Sequence, residues 1–280
     1  MKVQRNYECE EKALVSIFIE FDSKAEINKV KRLAKVAKQI GAEHGSLEDV
    51  LLWYDPATNN LVFLASNGTS IAVEGNCSPW QIKSDTSHGN EEFYTLLSKN
   101  DIKSLCNFAN ECNNNVTVDF YERNEFGFSK ATFFNHTEYK KVETANTSYP
   151  KMWKKVLDEP TCKIKIKEDE IITFRNFIKN IEIKEEYDTL YMSMQKGFSI
   201  MKCVYRNPDK EVMGACDIHM DSIADEDIRV AATPSNLLNI GFCGFTALDD
   251  GYKKYGVCST KFTNAMITGK LHEEWMFHNV

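Results

Sequence analysis

The order of amphipathic segments along this 280-residue chain runs twice, and that repetition constrains the fold more than any single motif does. Ala13 to Phe21 is rich in β-branched and aromatic residues and reads as a strand. A helix follows, with Asp22 or Ser23 as its cap, Ile27, Val30, Ala34 and Ala37 on one face, and Gly41 as a stop. Strands are predicted from Asp49 to Asp55 and from Leu61 to Ser66, joined by the turn 56–60. A third, Thr69 to Glu74, follows the tight turn Asn67-Gly68. The polar stretch 75–90 leads to a second helix, Lys99 to Glu111, capped by Ser98 or Asn100, with Ile102, Leu105, Cys106 and Ala109 on its apolar side. Strands from Val116 to Glu122 and Phe126 to Phe134, and an extended stretch from Glu138 to Thr144, close this first pass.

After the turn 147–150 and the Glu159-Pro160 boundary the order begins again. Cys162 to Lys167 reads as a strand and Glu168 to Asn180 as a helix burying Ile171, Phe174, Ile178 and Ile181. Strands are predicted at Thr189 to Gln195, Phe198 to Tyr205 and Val212 to Met220. A short helix from Pro234 to Gly241 takes Thr233 as cap and Pro234 in its first position. Further strands fall at Tyr255 to Phe262, Asn264 to Thr268 and Glu273 to Phe277. Two helices against many antiparallel strands in each half make the class α+β, with tandem domains expected at 1–158 and 159–280. The length accommodates two domains of ~100–200 residues.

Composition removes several classes. With 42% apolar residues, 13 Gly and 6 Pro, the chain is neither disordered nor collagen-like. No apolar run approaches the ~20 residues that span a bilayer, and the charged start, Met1 to Lys12, lacks a signal-peptide core. A soluble, cytoplasmic protein without membrane partners is expected. The nine cysteines are scattered with no Cys-x-x-Cys pair, so reduced thiols are expected rather than a zinc site or a disulfide framework. The net charge of −7 makes bulk electrostatic wrapping of DNA unfavourable and leaves room only for a local basic face.

Such a face exists. Lys29, Lys31, Arg32, Lys35 and Lys38 lie within ten residues of the first helix, on the side away from its apolar stripe. The other three helices offer only Lys99, Lys103, Arg175 and Lys179. A solvated surface would account for the first cluster; so would a role in meeting phosphates. The acidic run Asp217 to Asp227 has Ser222 where a calcium loop requires Gly and lacks the closing Glu, so it reads as a charged loop. The six His never take metal-ligand spacing, and no phosphate loop, nucleophile elbow or catalytic carboxylate pair is present. No metal, no cofactor and no enzyme activity are expected.

Three segments carry a resemblance. The run Leu61 to Ala72, with its Ala65-Ser66-Asn67-Gly68 centre, resembles the leucine-x-alanine-threonine-aspartate-glycine-x-arginine-leucine-alanine segment of bacterial sliding clamps. Thr147 to Val156 resembles the phenylalanine-proline-aspartate-tyrosine segment that closes the clamp's middle domain, and Asp227 to Leu238 is similar to the helix entry of its last domain. Ser70 stands where that family has arginine, Asn67 where it has aspartate and Thr233 where it has asparagine. The order of elements around all three matches over nearly the whole chain.

The resemblance implies two tandem clamp-like domains and a processivity factor that encircles double-stranded DNA without reading its sequence. It tethers a polymerase and meets clamp-loader-type proteins through short peptides. Lys29, Lys31, Arg32, Lys35, Lys38, Lys99, Lys103, Arg175 and Lys179 would contact DNA. Met276 and Phe277 would form one wall of a peptide pocket, with Gly68, Ile71, Val156 and Pro160 as the other. Six clamp domains close a ring, so two per chain imply a homotrimer. The alternatives are a clamp-fold module that binds proteins without encircling DNA, and an unrelated α+β ligand-binding protein.

Overall fold

The computed structural model describes residues 12–37, 48–55, 60–67, 70–75, 79–83, 92–124, 127–135, 138–144, 149, 163–181, 189–207, 209, 211–249, 253–259 and 264–268. In the first half the elements are β1 (Val15–Glu20), α1 (Lys24–Val36), β2 (Val50–Asp55), β3 (Asn60–Ser66), β4 (Ser70–Gly75), β5 (Pro79–Lys83), β6 (Phe93–Leu97), α2 (Lys99–Glu111), β7 (Asn115–Phe120), β8 (Arg123–Asn124), β9 (Gly127–Phe128), β10 (Lys130–Asn135) and β11 (Glu138–Glu143). The second half holds β12 (Ile164–Lys165), α3 (Glu170–Asn180), β13 (Thr189–Met194), β14 (Ile200–Arg206), β15 (Val212–His219), β16 (Ile228–Ala232), α4 (Pro234–Ile240), β17 (Phe242–Asp249), β18 (Lys253–Ser259) and β19 (Asn264–Thr268). The chain divides into two compact units, Met1–Gly68 with Ala72–Lys154, and Thr69–Ile71 with Lys155–Val280.

In the first unit β1 is an interior strand whose Val15, Ile17 and Ile19 are fully buried. It pairs antiparallel with β5 on one side and β7 on the other, and β7 continues through β10 to β11. A second run of strands is ordered β4-β3-β2-β6. The two runs meet in an aromatic triangle: Phe93 of β6, Phe120 of β7 and Phe128 of β9 have ring centroids 5.0–5.3 Å apart. Burial of each ring contributes ~1.5–3 kcal/mol. Helices α1 and α2 lie against each other, α1 resting on β3 and α2 on β6, β7 and β10. Gly127, at φ 145°, is required where β9 crosses β6, because a Cβ there would stand 1.8 Å from the Tyr94 carbonyl oxygen.

The second unit repeats this pairing scheme. β12 pairs with β17, β17 with β18 and β18 with β19, as β1, β7, β10 and β11 do. β14 and β16 flank β13, and β15 follows β14, as in the order β4-β3-β2-β6. The bridge between Ile166 and Met220 stands where β1 meets β5. The β8–β9 ribbon has no counterpart among the described residues of the second unit. Phe174 of α3 packs on Phe242, centroids 5.0 Å apart, and Phe242 on Phe245 at 5.4 Å.

Several elements depart from the sequence expectation. The stretch 75–90 contains β5, whose Ile82 faces Ile17 across the ladder. Strands β6, β16 and β17 were not expected from periodicity; the first two are five residues long and buried at four of the five positions, Thr95 included, without the sustained alternation that marks a half-exposed strand. The run 126–134 is broken at Ser129, whose N–H donates to Glu122 O at 2.8 Å, so it divides into β9 and β10. α1 ends at Val36, where the Ala37 N–H bonds Leu33 O at 3.0 Å, and Gly41 lies outside the described residues. α3 opens at Glu170 and leaves Ile171 and Ile181 half-buried. Thr233 makes no side-chain cap bond to α4. The strand expected from Glu273 to Phe277 lies outside the described residues.

Candidate functional site

The cations of α1 and α2 meet because their helices are fixed at both starts. Ser23 Oγ accepts the Glu26 N–H, while the Glu26 carboxylate accepts the Asp22 N–H at 2.8 Å, a reciprocal cap that turns the Glu26 charge toward the helix entrance. Ser98 Oγ accepts the Asp101 N–H at 3.2 Å at the start of α2. Ile27, Val30 and Leu33 of α1 and Ile102, Leu105 and Cys106 of α2 are buried, which leaves the opposite faces to solvent. Two bonds tie the helices together. Cys106 Sγ donates to Ile27 O at 3.6 Å, and Lys31 Nζ donates to Asn107 Oδ1 at 3.3 Å.

An open groove of ≈ 410 Å³ results, lined by Lys31, Arg32 and Lys35 from α1 and by Lys99 and Lys103 from α2, with Asn28 and Ala34 completing its floor. Among the described residues no carboxylate pairs with any of these five cations. Like charges at Lys31 and Lys35, one turn apart, repel and disfavour the isolated helix, so the arrangement favours an anion that spans both helices. The site is electrostatic, not nucleophilic. Burial pushes the Cys106 thiol beneath it up to about 12, despite the nearby Lys31 ammonium.

Of the expected DNA-contacting residues, Lys31, Arg32, Lys35, Lys99 and Lys103 come together; Lys29 is half-buried and stands off the groove, and Lys38 lies outside the described residues. Arg175 and Lys179 are exposed one turn apart on α3, which also carries Glu170, while α4 has no charged residue. Gly68, Val156, Pro160, Met276 and Phe277 lie outside the described residues, and Ile71 is placed only by its backbone in β4. Asn107, which accepts from Lys31, and Lys140, which donates to Asp101 Oδ1 at 2.8 Å in the first turn of α2, support the groove from outside the expected set. Neither is signalled by periodicity, since each acts on a residue brought to it by tertiary packing. Among the described residues no three His, Cys, Asp or Glu side chains gather to hold a metal, and no helix is long and apolar enough to cross a membrane.

No protein-family model matches the sequence, and no curated protein matches it. Solved structures do. A DNA polymerase sliding clamp from Pseudomonas aeruginosa superposes with a TM-score of 0.67 at 15% identity, over 95% of this chain and 69% of the other. The Helicobacter pylori beta clamp bound to a DNA ligase peptide superposes with a TM-score of 0.68 at 12% identity, over 96% and 68%. The chain has the sliding-clamp fold. It spans about two-thirds of the length of those clamps. Of its four helices, α1 and α2 belong to the first unit and α3 and α4 to the second. Among the described helices of this clamp-fold chain, the cations without an ion pair concentrate on α1 and α2.

Proposed function

We propose that this chain is a sliding-clamp-like processivity factor that encircles double-stranded DNA and tethers a polymerase or other replication and repair proteins to it. The observation that carries this reading is the groove of Lys31, Arg32, Lys35, Lys99 and Lys103, five cations without a carboxylate partner among the described residues of a chain whose net charge is −7. Lysine ammoniums on flexible stems suit phosphates met at changing register, and contacts confined to phosphate carry no sequence preference. Two clamp-like units per chain make three copies the number that completes six domains. The expected assembly is a homotrimeric ring in which sheet edges pair between copies. Partner peptides are assigned to Gly68, Ile71, Val156, Pro160, Met276 and Phe277, with the peptide-bound Helicobacter pylori clamp as the precedent. Such anchors suit micromolar, exchangeable binding.

The test is retention on nicked circular plasmid. The wild type should stay on the circle and slide off once it is linearised, and the variant with all five groove cations changed to Glu should lose retention while keeping its fold. Light scattering should give three times the chain mass, and calorimetry with a clamp-binding peptide should lose its signal in Met276→Asp. A second reading, a clamp-fold module that binds proteins without encircling DNA, is favoured by the sparse charge of α3 and α4. Equal retention on circular and linear DNA, with peptide binding intact, would select it.

A further inference from the structure

We propose that Cys203 and Cys216 form a reversible disulfide site, closed by a peroxide-class oxidant at the edge of the sheet β15-β14-β13-β16. The two residues stand directly opposite each other in the antiparallel β14–β15 pair, so their side chains leave the same face of the sheet. The Met220 N–H donates to Ser199 O at 2.8 Å, and the ladder alternates from that point, so Cys203 and Cys216 occupy a hydrogen-bonded pair. Such pairs hold their Cα atoms about 5.5 Å apart, inside the ~4.4–6.8 Å that a disulfide spans. Their Cβ atoms, about 4.5–5.5 Å apart, sit wider than the ~3.8 Å of a relaxed disulfide. The bond therefore closes with little movement and under strain, a combination that belongs to labile disulfides rather than permanent ones.

The two sulfurs are unequal. Cys203 is fully buried, and burial pushes its thiol up. Cys216 is half-buried on β15, the edge strand, between exposed Ala215 and Asp217. Cys216 is thus the sulfur that meets the oxidant. It attacks the peroxide O–O bond, which breaks; one oxygen stays as sulfenic acid and the other leaves as water with the thiol's proton. The Cys203 sulfur then attacks the sulfenic sulfur, the S–S bond forms, the S–O bond breaks, and a second water departs with the Cys203 proton. One peroxide is reduced to two waters as two thiols become one disulfide, and a thiol-class reductant reverses the change by exchange. The disulfide encloses residues 204–215 and pins the edge strand to β14, which suppresses local opening of that edge. This site does not depend on the DNA reading.

The experiment uses the full chain, treated with hydrogen peroxide, alkylated with N-ethylmaleimide and digested with trypsin without reduction. Cleavage at Lys202, Arg206, Lys210 and Arg229 places Cys203 in peptide 203–206 and Cys216 in peptide 211–229, so a link between them is read directly. The expected product joins these two peptides, lacks two hydrogens, disappears with dithiothreitol, and slows amide exchange in β15. In Cys203→Ser the reaction should stop at a sulfenic acid on Cys216, trapped by dimedone. Two alkylated cysteines after treatment, sulfinic acid at Cys216 without a link, or links to another cysteine such as Cys243 or Cys258 would each overturn the proposal. The wild-type peptide map decides even if Cys203→Ser fails to fold.

Discussion

Lys140 Nζ lies 2.8 Å from Asp101 Oδ1, joining β11 to the first turn of α2. The same ammonium donates to Ser104 Oγ at 3.0 Å, and the second Asp101 oxygen accepts the Ser98 hydroxyl at 2.5 Å. The acid of that turn is therefore held toward the strand, and the cations of the groove keep their field. Lys140→Met should leave the Asp101 carboxylate, whose side chain is 12% exposed, without its cation and cost about 1–2 kcal/mol in urea unfolding. Adding Asp101→Asn should recover part of that loss, as a double-mutant cycle would read.

Salt dependence distinguishes groove residues from bystanders. Lys35→Gln and Lys103→Gln should each lower the slope of log affinity against log salt by about 1, measured by fluorescence anisotropy on a DNA duplex. Lys29→Gln, which lies off the groove, should leave the slope unchanged.

Asp49 is held above the ordinary carboxylate range, first by burial and then by the charges of Glu48 and Asp101, with Lys99 opposing them. Its ionised form is disfavoured by folding, so stability falls as pH rises from the unfolded-state pKa through the folded one. Asp49→Asn should raise the thermal midpoint at pH 7. That gain should vanish below the unfolded-state carboxylate pKa of ~4, where the wild-type side chain is protonated in both states.

Two glycines with positive φ should respond differently to a methyl group. Gly127→Ala meets the Tyr94 carbonyl and should cost more than about 2 kcal/mol, because backbone must shift. Gly197 has φ 85° but nothing within 4 Å of a Cβ, so Gly197→Ala should cost only the strain of about 1 kcal/mol. Equal effects in denaturant unfolding would contradict the close approach of β9 to β6.

The helices with strong stripes were legible in the sequence. The buried Ile27, Val30 and Ala34 follow the expected period, and Ser23 and Ser98 cap as their hydroxyls predict. Strands with polar flanks were legible too, and the order of three short segments pointed to the fold that the superpositions show. What escaped depends on distant pairing. Phe93 to Leu97 and Ile228 to Ala232 carry no alternation, and their identity as strands rests on β2 and β13 lying beside them. The groove was half legible: helical period places Lys31, Arg32 and Lys35 together, but only the contact of α1 with α2 adds Lys99 and Lys103.

The position of β1 between β5 and β7 has a consequence in time. β1 ends at Glu20 and β7 begins at Asn115, so a growing chain exposes Val15, Ile17 and Ile19 long before their second neighbour exists. At ~5–20 residues per second the wait on the ribosome is roughly 5–20 s. Until β5 is made both edges of this apolar strand are open, and until β7 is made one still is, a target for chaperones and for other nascent chains. Slower synthesis through the stretch before Asn115 lengthens that exposure, whatever the stability of the finished sheet.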